Sequence, residues 1–420
     1  MSMRKKISID QLRLGMFVDE LCGSWMDHPF WNKKFLLNNA TALAKIVASP
    51  VREAWIDTSK GLDVAAATPA VTAPEPANTP PPAPITPPLV IDPRVSIQVE
   101  VERATRICNK AKTAITAMFQ EARMGRAIEP AALAPLVDEI ASSVQRNPSA
   151  LVSLARLKTK DDYTYLHSVA VCGLMISLAR QLNVDEKHIR EIGLAGLVHD
   201  LGKAAIPLEI LNKPGKLTDD EFKVVQNHPF AGHEMLLEGG GVGEIPLDVA
   251  RHHHEKIDGT GYPDRLSGER ISLFAKMGAV CDVYDAITSN RPYKAGWSPA
   301  ESLHKMATWS ADHFDKIVFQ AFVKCIGIYP IASLVRLESG LLAVVIEHSS
   351  TNSLTPIVKT FYCTKRKARR YAQIIDLSQC DGQDKIAGWE SPSNWNFPDL
   401  EEMWSGIAAP TETRAAAKVG

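Results

Sequence analysis

The sequence carries almost no net charge, no paired cysteines and no long apolar run, and each absence narrows what the protein can do. Its 47 Lys and Arg are balanced by 48 Asp and Glu, a formal charge of −1, which gives no support for a surface that binds a nucleic-acid polymer. Seven cysteines, at 22, 108, 172, 281, 325, 363 and 380, are scattered singly with no Cys-x-x-Cys pair. That spacing argues against a disulfide scaffold or a zinc knuckle and for reduced thiols. No stretch approaches the roughly 18 apolar residues of a membrane span. The basic residues of Met1–Gly15 have no apolar run behind them, as a signal peptide would. A cytoplasmic protein, associated with neither membrane nor nucleic-acid polymer, is expected.

What is present is a chain of 420 residues, 45% hydrophobic, long enough for two or three domains with cores of their own. Residues 1–65 read as a small mixed α/β module: strand-like runs at Met16-Phe-Val18, Phe35-Leu-Leu37 and Ala54-Trp-Ile56 surround a helical patch near Ala40–Ala48. Ten prolines then fall between Pro69 and Pro93, which makes residues 66–93 a semi-rigid, coreless linker. Residues 94–149 are connecting helices. In the first, Ala104, Ile107, Cys108, Ala111, Ile115, Met118 and Phe119 recur at helical spacing. It is expected to pack on the domain that follows; pairing with a second copy, to give a homodimer, is the alternative. Residues 150–330 are helical throughout. Thr218-Asp-Asp-Glu221 is a capping box opening a helix that carries His228, and Pro246 opens a short helix ending at the histidine tract. From Ile331 the period becomes two, with a hairpin over Ser333–Leu337 and Leu341–Glu347, so 331–420 forms a small β-rich region. The basic run Lys365–Arg370 reads as a solvated face. The fold class is mainly α: a helical domain flanked by a mixed N-terminal module and a β-rich tail.

The chemistry concentrates on histidine. Eight of twelve histidines lie between His167 and His254. A run such as His252-His-His-Glu-Lys-Ile-Asp-Gly-Thr-Gly-Tyr-Pro263 could by itself be a solvated tract. Here, however, successive helical segments each deliver a ligand-type residue: His167, His199-Asp200, His228, His253-His254 and Asp282. Mixed imidazole and carboxylate donors suit iron, manganese or another first-row dication better than calcium. The set is too large for one tetrahedral zinc and sufficient for two ions. Asp200 follows His199 directly, so its side chain points elsewhere and can reach the second ion. A pair of metals lowers the pKa of a bridging water and clamps the oxygens of a phosphoryl centre.

The ordered motifs His199-Asp-Leu-Gly-Lys203, Ile206-Pro207, Lys213-Pro-Gly-Lys-Leu-Thr218, His228-Pro-Phe-Ala-Gly232, His253–Pro263, Asp282-Val-Tyr-Asp-Ala286 and Arg291-Pro-Tyr-Lys294 closely resemble the HD-GYP family of the HD metal-dependent phosphohydrolases. The resemblance covers about residues 150–327. Residues 1–65 resemble the extension of unknown function that precedes some members, through which an unidentified signalling partner would act. The resemblance implies a dinuclear centre hydrolysing the bacterial second messenger cyclic di-GMP: a metal-bridging hydroxide attacks phosphorus in line, pGpG forms, and GMP follows if the second bond is opened. The metal ligands implied are His167, His199, Asp200, His228, His253, His254 and Asp282, with Asp200 bridging. Lys203 would hold a phosphate oxygen and stabilise developing charge. Arg291 and Lys294 would grip the phosphates, while Gly261 and Tyr262, with Gly259 and Pro263, shape the loop beside the substrate. His252 falls outside the ligand pair, and His188 and His233 read as ordinary helical residues. Some members carry a glutamate one turn before the first histidine, where it binds a third metal. Here Tyr163 stands there, and a phenol with a pKa near 10 is a poor ligand at neutral pH; two metals, iron or manganese, are expected. A mixed cyclic GMP–AMP substrate and a non-catalytic cyclic-dinucleotide receptor are the alternative readings.

Overall fold

The computed structural model of the chain describes residues 4–22, 34–39, 43, 46–47, 52–63, 94–155, 163–289, 296–349, 352–380 and 384–407. They divide between two compact units, Met1–Val90 and Ile91–Gly420.

In the first unit, β1 (Arg4–Ser8), β2 (Phe17–Cys22), β3 (Phe35–Leu36) and β4 (Glu53–Asp57) form an antiparallel sheet in the order β1-β4-β2-β3. Alternation sends Ile7, Met16, Val18, Ala54 and Ile56 into one small core with Ile46 and Leu37. β1 has no apolar period to announce it: only Ile7 of its five residues is buried, because it is an edge strand and its lysines face solvent. The helical patch expected near 40–48 falls largely outside the described residues.

The second unit opens with a long helix, α1 (Ile97–Arg123), whose apolar stripe of Ala104, Ile107, Cys108, Ala111, Ile115 and Met118 is buried within the same chain, Phe119 being half-buried. α1 meets α2 (Ala134–Arg146), α3 (Ala150–Ala155) and α4 (Tyr163–Gln181). Fully buried Glu100 of α1 takes a two-pronged contact from Arg146 of α2, with both N···O distances 2.8 Å; a charge without water is tolerated because the fork fills its lone pairs. α4 is apolar nearly all round, as a central helix must be, and it packs on α5 (Ile189–Val198). A 3₁₀ turn, Leu201–Ala205, and α6 (Leu208–Leu211) follow.

Thr218 caps α7 (Asp219–Gln226) with the expected capping box, but His228 is not in that helix: it opens α8 (His228–Gly239). The reason is Pro229, whose missing N–H cannot continue the ladder of α7. α9 (Glu244–His252) starts two residues before Pro246 and stops before His253 and His254, which lie just beyond it. α10 (Leu273–Thr288), α11 (Pro299–Trp309) and α12 (Lys316–Ile326) complete the helical part.

The chain then turns into an antiparallel sheet of β5 (Leu334–Leu337), β6 (Leu341–Glu347), β7 (Ile357–Cys363), β8 (Ala368–Asp376) and β9 (Ile386–Trp389), ordered β8-β7-β6-β5-β9, with α13 (Leu400–Ser405) against it. Its core is shared with the helices: Ile97 and Val101 of α1 and Ala150 of α3 lie in one cluster with Val344, Phe361 and Trp404. Cys108, Cys172, Cys281, Cys325, Cys363 and Cys380 form no disulfide, and no helix among the described residues is long and apolar enough to cross a membrane.

The shared core makes a prediction. Trp404 is 2% exposed, so Trp404→Ala should cost about 3–5 kcal/mol. Chemical denaturation of the full chain, followed by helical circular dichroism, should show a lowered midpoint for the helices themselves. Helices that unfold at the wild-type midpoint would show the sheet to be an independent body.

Candidate metal centre

Five segments supply the site. α4 supplies His167; the residues ending α5 supply His199 and Asp200; the start of α8 supplies His228. His253 and His254 follow α9, and Asp282 projects from the middle of α10. Bringing His228 to Asp200 requires the Leu201–Ala205 turn to lie backbone against backbone on α8. A Cβ on Gly202 would stand 1.9 Å from the carbonyl oxygen of His228, so any side chain there would push the two ligand-bearing segments apart.

Two groups of side chains each place their ligand atoms within 4.8 Å of one another and could hold a metal ion: Asp200, His228, His253 and His254, and His167, His199 and Asp282. Asp200 faces both. Its Oδ2 lies 3.4 Å from Nε2 of His167 and 3.4 Å from Nε2 of His199, while its Oδ1 lies 3.3 Å from Nε2 of His228 and 3.8 Å from Nε2 of His253. Asp282 spans the cluster in the same manner, with Oδ1 3.0 Å from Nε2 of His167 and Oδ2 3.8 Å from Nδ1 of His254.

The histidines are set as ligands by what their other nitrogens do. Nδ1 of His199 meets the carbonyl oxygen of Gly196 at 2.8 Å, that of His228 meets Val225 at 2.7 Å, and that of His253 meets Val249 at 2.9 Å. A carbonyl only accepts, so each Nδ1 carries the proton and each Nε2 turns a lone pair to the cluster. The Val225 carbonyl is available to His228 because Pro229 has no N–H to offer it. His167 is held instead by a carboxylate, Asp285, whose Oδ2 lies 2.7 Å from Nδ1. Nε2 of His199 and Oδ1 of Asp200 are buried with no hydrogen-bond partner among the described residues. Orphaned polar atoms facing one another in a dry cluster cost free energy unless something ligates them. The donor set therefore fits a divalent metal.

Burial works against charge throughout the cluster, and the neighbours decide each outcome. It raises the Asp200 carboxyl, but the ammonium of Lys203 and the histidines outweigh it and hold Asp200 well below the usual carboxylate range; His167 and His199 do the same for Asp282. Burial keeps His253 neutral and pushes His254 down to about 3. His167 goes the other way: burial would lower it, but Asp200, Asp282 and Asp285 hold it well above the ordinary 6.5.

The signature loop is built around Glu255, which is 2% exposed and accepts the backbone N–H of Asp264 at 2.7 Å and of Leu266 at 3.0 Å. Gly261 is packed so closely on that residue that a Cβ would sit 2.5 Å from the Glu255 Cα. The loop sets the Tyr262 ring 4.8 Å from the His254 imidazole, centroid to centroid. His252 turns away from the cluster: its Nδ1 meets Asp248 at 2.8 Å and its Nε2 meets Asp264 at 3.0 Å. His233 pairs with its neighbour Glu234, and His188 lies near Phe274. Lys203 is ion-paired with Asp200 Oδ2. Its turn is fixed from outside by Arg123, the last residue of α1, whose guanidinium donates to the carbonyl oxygens of Ile206 at 3.0 Å and of Lys203 at 3.4 Å. Arg291, Lys294 and the Tyr163 side chain lie outside the described residues. Asp285, Glu255 and Arg123 are contributors that the sequence reading did not single out. Asp285 had a signal in its position one turn after Asp282; Arg123 had none, since it acts from a helix 80 residues earlier.

A family model described as an HD domain matches residues 137–318, and one described as a domain of unknown function (DUF3391) matches residues 4–133. The chain is 53% identical over 420 residues, covering 97% of each sequence, to the cyclic di-GMP phosphodiesterase PA4108 of Pseudomonas aeruginosa. It belongs to the HD-GYP family. Two further relatives match part of the chain. The cyclic di-GMP phosphodiesterase response regulator RpfG of Xanthomonas campestris is 42% identical over 158 residues, 37% of this chain and 40% of that protein. The 3′3′-cGAMP-specific phosphodiesterase 1 of Vibrio cholerae is 36% identical over 166 residues, 39% of this chain and 38% of that one.

The geometry predicts proton release on metal uptake. A His167 imidazole raised well above 6.5 carries a proton on Nε2 at neutral pH in metal-free protein, and a metal taking that nitrogen must displace it. Apparent affinity should therefore climb as pH rises from about 6.5. Calorimetry in buffers of different ionisation heat should register released protons, and their absence would remove His167 from the ligand set. Asp285→Asn should weaken metal binding by about 10–100-fold, since it loosens the carboxylate that orients His167.

Proposed function

We propose that this chain hydrolyses cyclic di-GMP to linear pGpG, and that the same site can open the second phosphodiester to give GMP. The observation that carries the reading is Asp200, which turns one carboxylate oxygen to each group of histidines. Two divalent cations would be held, one by His167, His199 and Asp282 and one by His228, His253 and His254, with Asp200 shared. Iron or manganese suits this nitrogen-rich mixed set. When bound, such a pair supplies Lewis acidity and a water acidified to near-neutral pKa.

The protein's own residues do the rest. Asp200 and Asp282 bring two negative charges that offset the cations. Lys203, three residues beyond Asp200, carries an ammonium that meets a non-bridging phosphate oxygen and stabilises charge as the ribose 3′-oxygen departs. Arg291 and Lys294 are assigned to the phosphates, Arg as a planar fork and Lys as a point charge. Gly261 and Tyr262 shape the wall beside His254. Full-length similarity to a protein named a cyclic di-GMP phosphodiesterase favours that substrate over the mixed GMP–AMP ring, the second reading, which the Vibrio relative's name supports. Residues 1–65 would be the regulatory module, receiving a signal from an unidentified partner.

Product analysis on iron- and manganese-loaded protein with both cyclic dinucleotides tests this directly, with pGpG from cyclic di-GMP the expected main product. Asp200→Ala should lower turnover at least a thousandfold and reduce metal content. His252→Ala, which touches only Asp248 and Asp264, should lose less than about tenfold. An Asp200→Ala protein that keeps two metals and near-normal turnover would sink the assignment.

A further inference from the structure

We infer that the cavity beside the signature loop is the base-recognition subsite, and that Gln226 and Asn227 read the edge of a guanine there. The inference rests on the reading of the chain as a cyclic di-GMP phosphodiesterase. Cleaving one phosphodiester of a cyclic dinucleotide leaves its bases and its other phosphate to be held beside the metal centre.

A cavity of about 640 Å³ lies between the end of α7 and the loop, lined by Lys223, Gln226, Asn227, Thr260, Tyr262 and Arg265 among others. It approaches the metal centre through the signature loop. Tyr262 stands against His254. Lys223 and Asn227 also line a second cavity of about 420 Å³, and the wall of that one includes His228.

Both amides are open to a ligand, Gln226 being half-buried and Asn227 exposed. Asn227 sits at the N-cap of α8, where asparagine normally accepts a backbone N–H. Because α7 runs directly into α8, its backbone is helical, at φ −81° and ψ −12°, and its side chain makes no capping bond. Neither it nor Gln226 has a side-chain hydrogen bond among the described residues. A primary amide offers two donors beside an acceptor. Guanine's pairing edge offers O6 as acceptor beside N–H donors, so amide nitrogen meets O6 while amide oxygen meets the donors. Turned over about its amide plane, the same group meets adenine's N6 donor and N1 acceptor, so the pair reads a base edge and does not by itself tell guanine from adenine. Arg265 supplies a cation at the rim. It holds a left-handed backbone, φ 53°, uncommon for a side-chain-bearing residue and concentrated at functional positions. Its guanidinium has no ion-pair partner among the described residues, leaving the fork for the second phosphate.

The test compares Gln226→Ala, Asn227→Ala and the near-isosteric Asn227→Asp with wild type, on metal-loaded full chain. The substrates are cyclic di-GMP, 3′3′-cGAMP and bis(p-nitrophenyl) phosphate, which has no base. Each variant should lose about tenfold in kcat/KM on cyclic di-GMP and on the mixed ring, mainly through KM, with a smaller loss on the p-nitrophenyl diester. Unchanged KM on cyclic di-GMP, or equal losses on all three substrates at constant metal content, would overturn the subsite alone. Wild-type protein that cleaves the p-nitrophenyl diester but not cyclic di-GMP would overturn the functional reading and this inference with it.

Discussion

One carboxylate holds the site together. Asp200 is 2% exposed, and its two oxygens look at different histidine groups. Such a group could not stay ionised in a dry cavity unless positive charge surrounded it. The surrounding architecture supplies that charge: Lys203 from the next turn, protonated His167 from α4, and divalent cations when they are bound. The same demand explains the close backbone contact at Gly202, since only without a side chain can the Asp200 turn sit on the start of α8.

Around this carboxylate each of three histidines divides two tasks between its two nitrogens. Nδ1 atoms are spent on carbonyls of Gly196, Val225 and Val249, fixing ring planes and tautomers, and Nε2 atoms are kept for the metal. His167 alone is oriented by a carboxylate, Asp285. A carboxylate partner makes an imidazole a stronger donor than a carbonyl partner does, so the two histidine groups are chemically unequal. His167, His199 and Asp282 form the more anionic half, and three imidazoles with a share of Asp200 form the other.

The clustering of His167, His199, Asp200, His228, His253, His254 and Asp282 was readable because successive segments each carry a ligand-type residue: His199 and His253 follow α5 and α9, His228 opens α8, and His167 and Asp282 lie within α4 and α10. The loop residues were readable as a motif, but the reason for them was not. Gly261 is required by the carbon of Glu255 against which it lies, a contact visible only in three dimensions. The expectation that His228 belongs to the capped helix failed for a local reason, because Pro229 ends one hydrogen-bond ladder and starts another. β1 was missed because an edge strand with charged outward residues has no period. Arg123 and the shared core of Ile97 with Trp404 are long-range relations between segments that carry no mark of each other.

Those long-range relations make α1 more than a connection. A helix of 27 residues is about 40 Å long; one end lies in the core of the C-terminal sheet and the other holds the carbonyls of Lys203 and Ile206. Between them, the buried Glu100–Arg146 pair fixes its position against α2. Sliding or rotating α1 would separate two desolvated charges, which is far costlier than breaking an exposed pair. It would also strip Arg123 from the turn that positions Lys203. The turn beside the candidate metal centre is thus tied to an ion pair in another part of the unit, and α1 joins that turn to the sheet that follows the helical domain.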